Sequence, residues 1–107
     1  MGIEGIWSIN QFGNKSTSLS AQINSTQIVL CQGNLIYNYT LNNNTINLKA
    51  VLSKCSSREF TAAFTAVKYF RVFKDQLKLY DEAVALTFQL TYSSPYDPAK
   101  PIFAPPK

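Results

Sequence analysis

The chain has 107 residues, with ten Lys and Arg against six Asp and Glu, two Cys, one Trp and no His. This length supports one domain with a modest core, and an apolar fraction of 46% excludes disorder throughout. No stretch approaches the roughly 18 to 20 apolar residues that a membrane helix needs. The lack of histidine removes the commonest general base and the commonest metal ligand. We therefore expect no enzyme, no catalytic residue, no cofactor and no metal.

The amino terminus has no basic segment followed by an apolar one, so we expect no secretory signal and a cytoplasmic location. In a reducing compartment Cys31 and Cys55 are expected to be buried, inert thiols, with a disulfide between them as the alternative. Cys55 as a nucleophile is a further alternative, but it has no His base.

Alternation of apolar and polar residues predicts short strands joined by hairpin turns. We expect strands at 3–11, 19–23, 27–31, 35–41, 46–50, 69–74, 77–80 and 84–91. A turn at 42–44 joins the fourth and fifth strands, because Asn tolerates positive φ. Residues 12–18 are predicted to be a polar loop.

One segment, 56–67, instead carries apolar residues at spacings of three and four, which predicts a helix with Phe60 and Phe64 on its buried face. Ser56 or Ser57 can cap its start, and Glu59 would complete a capping box with Ser56. Short connections favour antiparallel pairing. The predicted fold is mainly β (α+β): a small antiparallel, lipocalin-like barrel of about eight strands in residues 1–92, with one helix plugging an end.

Residues 93–107 contain all five prolines and are predicted to form an extended tail. Large apolar side chains among prolines suit docking to another molecule, because proline stiffening lowers the entropy cost of binding. A solvated end, or a tail lying over its own barrel, is the alternative. The candidate partner-binding residues are Tyr96, Pro98, Pro101, Ile102, Phe103 and Pro105.

Several segments follow, in order, the pattern of a known domain family. They are Gly5-Ile6-Trp7, the run CQGNLIYNY at 31–39, Cys55 before a helix starting at Glu59-Phe60, Tyr69-Phe70, Leu77 to Asp81, and Ala85 to Phe88. Together they resemble the META/HslJ-type domain family over residues 3–92. The resemblance implies a compact, β-rich barrel with a helix, associated with stress response and virulence and without catalytic residues.

Trp7, Tyr37 and Tyr39 are expected to be core or core-rim residues, with a small-molecule pocket around them as the alternative. Asp81-Glu82 lies at a turn, where two solvated carboxylates do not make an acid–base pair. The leading hypothesis is a non-catalytic structural or interaction protein that docks into a larger assembly. The net charge of +4 suits an acidic partner such as tubulin in a cilium, whereas it is too mild to favour nucleic acid. A small-molecule-binding barrel in stress response is the alternative, and no membrane partner is expected.

Overall fold

A computed structural model describes residues 2–97 and residue 99 of the chain. Eight antiparallel strands close into a barrel in sequence order, with one helix between the fifth and sixth strands. This confirms the predicted fold class. The strands are β1 (Gly5–Phe12), β2 (Lys15–Ile23), β3 (Gln27–Leu30), β4 (Leu35–Asn42), β5 (Thr45–Ser53), β6 (Val67–Phe73), β7 (Gln76–Asp81) and β8 (Leu86–Ser94), and the helix is α1 (Arg58–Thr65).

The polar loop predicted at 12–18 was wrong. β1 continues to Phe12 and β2 begins at Lys15, so the connection is a tight turn. Gly13 adopts a φ of 60° at this turn, and its N–H donates to the carbonyl of Thr87 at 2.8 Å. The Ser- and Thr-rich start of β2 pairs with β1, and this tertiary pairing outweighs its polar composition.

The helix is shorter than predicted and begins at a different cap. Ser57 is the N-cap, and its hydroxyl accepts a hydrogen bond from the backbone N–H of Phe60 at 3.3 Å. Glu59 therefore stands two positions after the cap, which does not fit the predicted capping box with Ser56. Its carboxylate lies 3.9 Å from the ammonium of Lys15, and both side chains are exposed.

Five aromatic rings close the barrel end that α1 covers. Phe60 and Phe64 point inward from the helix and are 5% and 1% exposed. Phe64 packs on Phe88 with ring centroids 5.0 Å apart and on Tyr37 at 5.4 Å. Phe12 stacks on Phe88 at 4.9 Å. The helical stripe predicted from sequence thus forms the plug of this end.

The opposite end is closed by the chain just before β1. Ile3 is 1% exposed, and its carbonyl accepts a hydrogen bond from Trp7 Nε1 at 2.9 Å. Tyr92 packs edge-on against Trp7 with ring centroids 5.4 Å apart. Gly5 makes this packing possible, because a Cβ at that position would lie 2.5 Å from Tyr92 Cε1. Both barrel ends are therefore filled by side chains of the chain itself.

The barrel wall has two weakly paired seams. β2 pairs with β3 only at Gln22 and Ile23. β3 has four residues and β2 has nine, so most of β2 extends beyond β3. β5 pairs with β6 through Thr45 and Tyr69, and the N–H of Phe70 donates to the carbonyl of Asn44. In the described part of the chain, no helix is long and apolar enough to cross a membrane.

Candidate functional site

The three residues of the predicted pocket all lie in the core. Trp7, Tyr37 and Tyr39 are 3%, 0% and 8% exposed. The Tyr37 hydroxyl lies 2.7 Å from Thr65 Oγ1, and the Tyr39 hydroxyl donates to the Asn24 carbonyl at 2.6 Å. Their polar atoms are thus bonded within the chain, as expected for core and core-rim residues. Ligand binding at these residues stays a prediction.

Burial raises the pKa of both tyrosines above its ordinary value. For Tyr37 the hydrogen bond between its hydroxyl and that of Thr65 partly opposes this effect on the pKa, and for Tyr39 the negative charge of Glu4 adds to it. A raised pKa in the folded state means that ionisation favours the unfolded chain. The stability that these groups confer is therefore complete below the unfolded pKa and decreases as pH rises through the folded pKa.

We expect the free energy of unfolding to begin falling near pH 10 and to fall further as the pH rises, because both hydroxyl groups ionise more readily in the unfolded chain. Urea denaturation between pH 8 and 11.5 measures this slope. The double variant Tyr37→Phe/Tyr39→Phe is the control, since it keeps both rings and removes both ionisable groups. An equal slope in the variant would contradict the assignment.

Cys31 and Cys55 form a disulfide, with their Cα atoms 5.8 Å apart. The expectation of buried, inert thiols was therefore wrong. The bond joins a 3-10 turn (Cys31–Gly33) after β3 to the segment between β5 and α1. Since the sulfur of Cys55 is bonded, it offers no thiolate, and the nucleophile alternative does not apply to this oxidised chain.

The pairing of β4 with β5 explains why the two cysteines meet. The β4–β5 hairpin turns at Asn43 and pairs Leu35 with Ser53 at its base. Cys31 precedes Leu35 by four positions and Cys55 follows Ser53 by two, so the closed hairpin brings both cysteines to the same end of the β4–β5 ladder. A further contact holds the base, where the N–H of Lys54 donates to the carbonyl of Asn34 at 2.7 Å.

A cleft of about 720 Å³ opens where β2 has no β3 partner. It was not predicted from sequence. Its apolar lining residues are Phe12, Leu19, Phe60 and the Cys31–Cys55 disulfide, which we call the floor, and its polar lining residues are Ser18, Ser20, Gln32, Ser56 and Ser57, which we call the rim.

Leu19 shows why the wall is open at the cleft. It pairs with Ile9 in the β1–β2 ladder, and Ile9 is fully buried. Residues directly opposite in an antiparallel ladder share a face, so Leu19 belongs to the inward face, yet it is 48% exposed. The 3-10 turn that follows β3 takes the place of a continuing strand, and Cys31 and Gln32 there have φ values of 54° and 55°.

A second group of residues lies where β8 ends and the proline-rich segment begins. The β6–β7 hairpin presents Phe73, which is 72% exposed. The carbonyl of Asp75 at the hairpin tip accepts from the N–H of Tyr92 at 2.6 Å. Lys74 Nζ lies 5.6 Å from its ring centroid, and two further basic residues, Arg71 and Lys78, pair with each other two rungs along the β6–β7 ladder. We call Phe73, Arg71, Lys74 and Lys78 the hairpin patch.

The predicted tail residues are only partly described. Tyr96 is half-buried, and the Asp97 carboxylate accepts from the N–H of Ala99 at 2.9 Å. The other predicted partner-binding residues lie outside the described residues, namely Pro98, Pro101, Ile102, Phe103 and Pro105. The extended conformation and the docking role of the tail stay predictions.

The Asp81 carboxylate binds backbone N–H groups of its own turn. Asp81 Oδ1 accepts from the N–H groups of Ala83 and Ala85 at 2.9 and 3.0 Å, which holds the β7–β8 turn. Val84 in this turn has a φ of 61°. Within residues 2–97 and 99, no three His, Cys, Asp or Glu side chains are grouped closely enough to hold a metal ion.

Comparisons of this chain with protein-family models, with curated proteins and with solved structures find no match.

Proposed function

We propose that this protein is a non-catalytic interaction domain of the META/HslJ type, which docks into a larger assembly through the hairpin patch and the adjoining C-terminal segment. The observation that carries the proposal is the exposed Phe73 on a hairpin with three basic side chains, beside the point where β8 leaves the barrel. An apolar anchor surrounded by charge is typical of a protein interface centre.

Charge favours an acidic partner. The hairpin patch has Arg71, Lys74 and Lys78 against Asp75, and the whole chain has a net charge of +4. A positive surface speeds encounter with a negative one and orients the two molecules. Tubulin in a ciliary microtubule is the specific acidic partner that we propose.

The C-terminal segment supplies the second part of the interface. Tyr96, Ile102 and Phe103 are spaced along a segment that contains all five prolines. Such a segment can place several apolar anchors on a partner at a low entropy cost. The patch and the segment would then bind the same partner, so that their contributions combine.

Deleting residues 95–107 is expected to weaken binding to taxol-stabilised microtubules at least tenfold in a cosedimentation assay. The barrel should unfold at nearly the same urea concentration as in the full chain, since β8 ends at Ser94. Substituting Phe73 with Ser should weaken binding in the same direction, and Val51→Ser is the matched control, because Val51 is also exposed but lies on β5. Equal cosedimentation of the full and truncated chains would refute the role of the segment.

A second candidate function is small-molecule binding by the barrel in a stress response. The cleft favours it, because its volume of about 720 Å³ and its apolar floor with a polar rim match the character of ligand sites. The ligand would contact Leu19 and Phe60 rather than the filled interior around Trp7.

A further inference from the structure

β2 presents an open strand edge along the cleft. Within the described residues, positions 15, 16 and 19–21 are paired only with β1, with an irregularity of that ladder at Thr17 and Ser18, because the ladder with β3 is confined to Gln22 and Ile23. In a strand paired on one side, every second residue directs its N–H and C=O away from its partner. This edge can therefore accept another strand.

We propose that the cleft binds an extended, acidic peptide of a partner protein, which adds to β2 as a strand and places an apolar side chain on the cleft floor. Strand addition combines backbone hydrogen bonds, which give affinity, with pockets for alternate side chains, which give specificity. None of the described residues that line the cleft belongs to the hairpin patch, so the inference does not depend on that patch.

The cleft floor supplies the pocket that such a peptide needs. Leu19 belongs to the inward face of β2 and remains 48% exposed, and Phe60 and the disulfide line the same cleft. Side chains of an added strand alternate between two faces. One set would enter the cleft and cover Leu19, while the other would face solvent beside the hydroxyl groups of the rim.

The charges around the cleft select an acidic peptide. Within three positions of the lining residues the sequence has three basic residues, Lys15, Lys54 and Arg58, and one acidic residue, Glu59. Glu59 lies 3.9 Å from Lys15, which leaves Lys54 and Arg58 as the excess positive charge. A second copy of this chain fits the cleft less well, because each copy carries a net charge of +4.

The test uses the full chain and an end-capped, fluorescein-labelled octapeptide of alternating Glu and Val. We expect saturable binding by fluorescence anisotropy, with affinity that falls as salt rises. Substitution Leu19→Asp should weaken binding at least about tenfold, whereas Val51→Asp should change it less than about twofold. Val51 is the matched control, since it is 54% exposed on another strand. If Leu19→Asp fails to fold, the double variant Lys54→Glu/Arg58→Glu replaces it. This variant changes only exposed charges and should reduce the peptide affinity by a similar factor.

Two further peptides separate the alternatives. The octapeptide with N-methylated glutamates keeps the side chains and loses the backbone donors that face β2 when the peptide adds antiparallel with its valines in the cleft, so it should bind at least about tenfold more weakly if a strand is added. The Lys-for-Glu peptide should not bind. Three results would overturn the proposal: either further peptide binding as tightly as the acidic octapeptide, no binding of the acidic octapeptide at 1 mM, or an equal loss of affinity with Val51→Asp.

Oleate tests whether the cleft holds a small ligand instead. If oleate binds the wild type saturably and excludes the peptide, while Leu19→Asp leaves peptide binding unaffected, the cleft is assigned to a small ligand and the proposal is overturned. If the chain dimerises without peptide and Leu19→Asp abolishes the dimer, the cleft is assigned to a second copy of the chain, which would also overturn the proposal.

Discussion

Replacing Phe64 by alanine is expected to lower the free energy of unfolding by about 3 to 5 kcal/mol. Phe64 is 1% exposed and packs on Tyr37, Phe60 and Phe88 at the end that α1 closes. The backbone of the surrounding strands is fixed by the closed ladder, so the space left by the ring cannot collapse fully. Urea denaturation followed by circular dichroism measures the change.

The matched control for this experiment is Phe73→Ala. Phe73 is the same residue type but is 72% exposed at the end of β6, so its removal should change stability by less than about 0.5 kcal/mol. If Phe64→Ala destabilises the chain by less than about 1 kcal/mol, or if both variants lose the same amount, the helix is not the plug of the barrel.

The double variant Cys31→Ser/Cys55→Ser is expected to lose about 3 to 4 kcal/mol of stability. The disulfide closes a loop between residues 24 positions apart, which restricts the unfolded chain. It also fastens the 3-10 turn, where Cys31 and Gln32 adopt left-handed backbone conformations that cost energy in residues with a side chain. Urea denaturation with and without dithiothreitol measures the loss.

Reductant provides the internal control for the disulfide. Dithiothreitol should lower the free energy of unfolding of the wild-type chain by the same amount as the double substitution does. It should not change the free energy of unfolding of the double variant. If the wild type and the double variant unfold at the same urea concentration, the Cys31–Cys55 bond does not stabilise the fold.

The strands and the helix could be predicted because their periodicity is local. Phe88 and Leu90 are buried on either side of the partly buried Gln89 in β8, and Phe60 and Phe64 are four positions apart on one face of α1. The first turn was mispredicted because the start of β2 is polar on both faces, and only its pairing with β1 makes it a strand. Local composition cannot report such pairing.

The cleft could not be predicted from local patterns, because it results from a mismatch between two strands. β2 is nine residues long and β3 is four, and the register places their common rungs at Gln22 and Ile23. Leu19 alternates with polar residues as any buried strand residue would. Its exposure depends on what β3 and the 3-10 turn leave uncovered, which is a property of the assembled barrel.

The interior of this barrel is occupied by its own side chains, so the binding that we propose would use its outer surfaces. Trp7 reports on this interior directly, since it is the single tryptophan of the chain and is 3% exposed. A ligand that entered the barrel would have to displace side chains packed on the indole, which would shift its emission. Titrating the full chain with oleate should therefore leave the Trp7 emission maximum unchanged, and a saturable shift at one equivalent of oleate would contradict a filled interior.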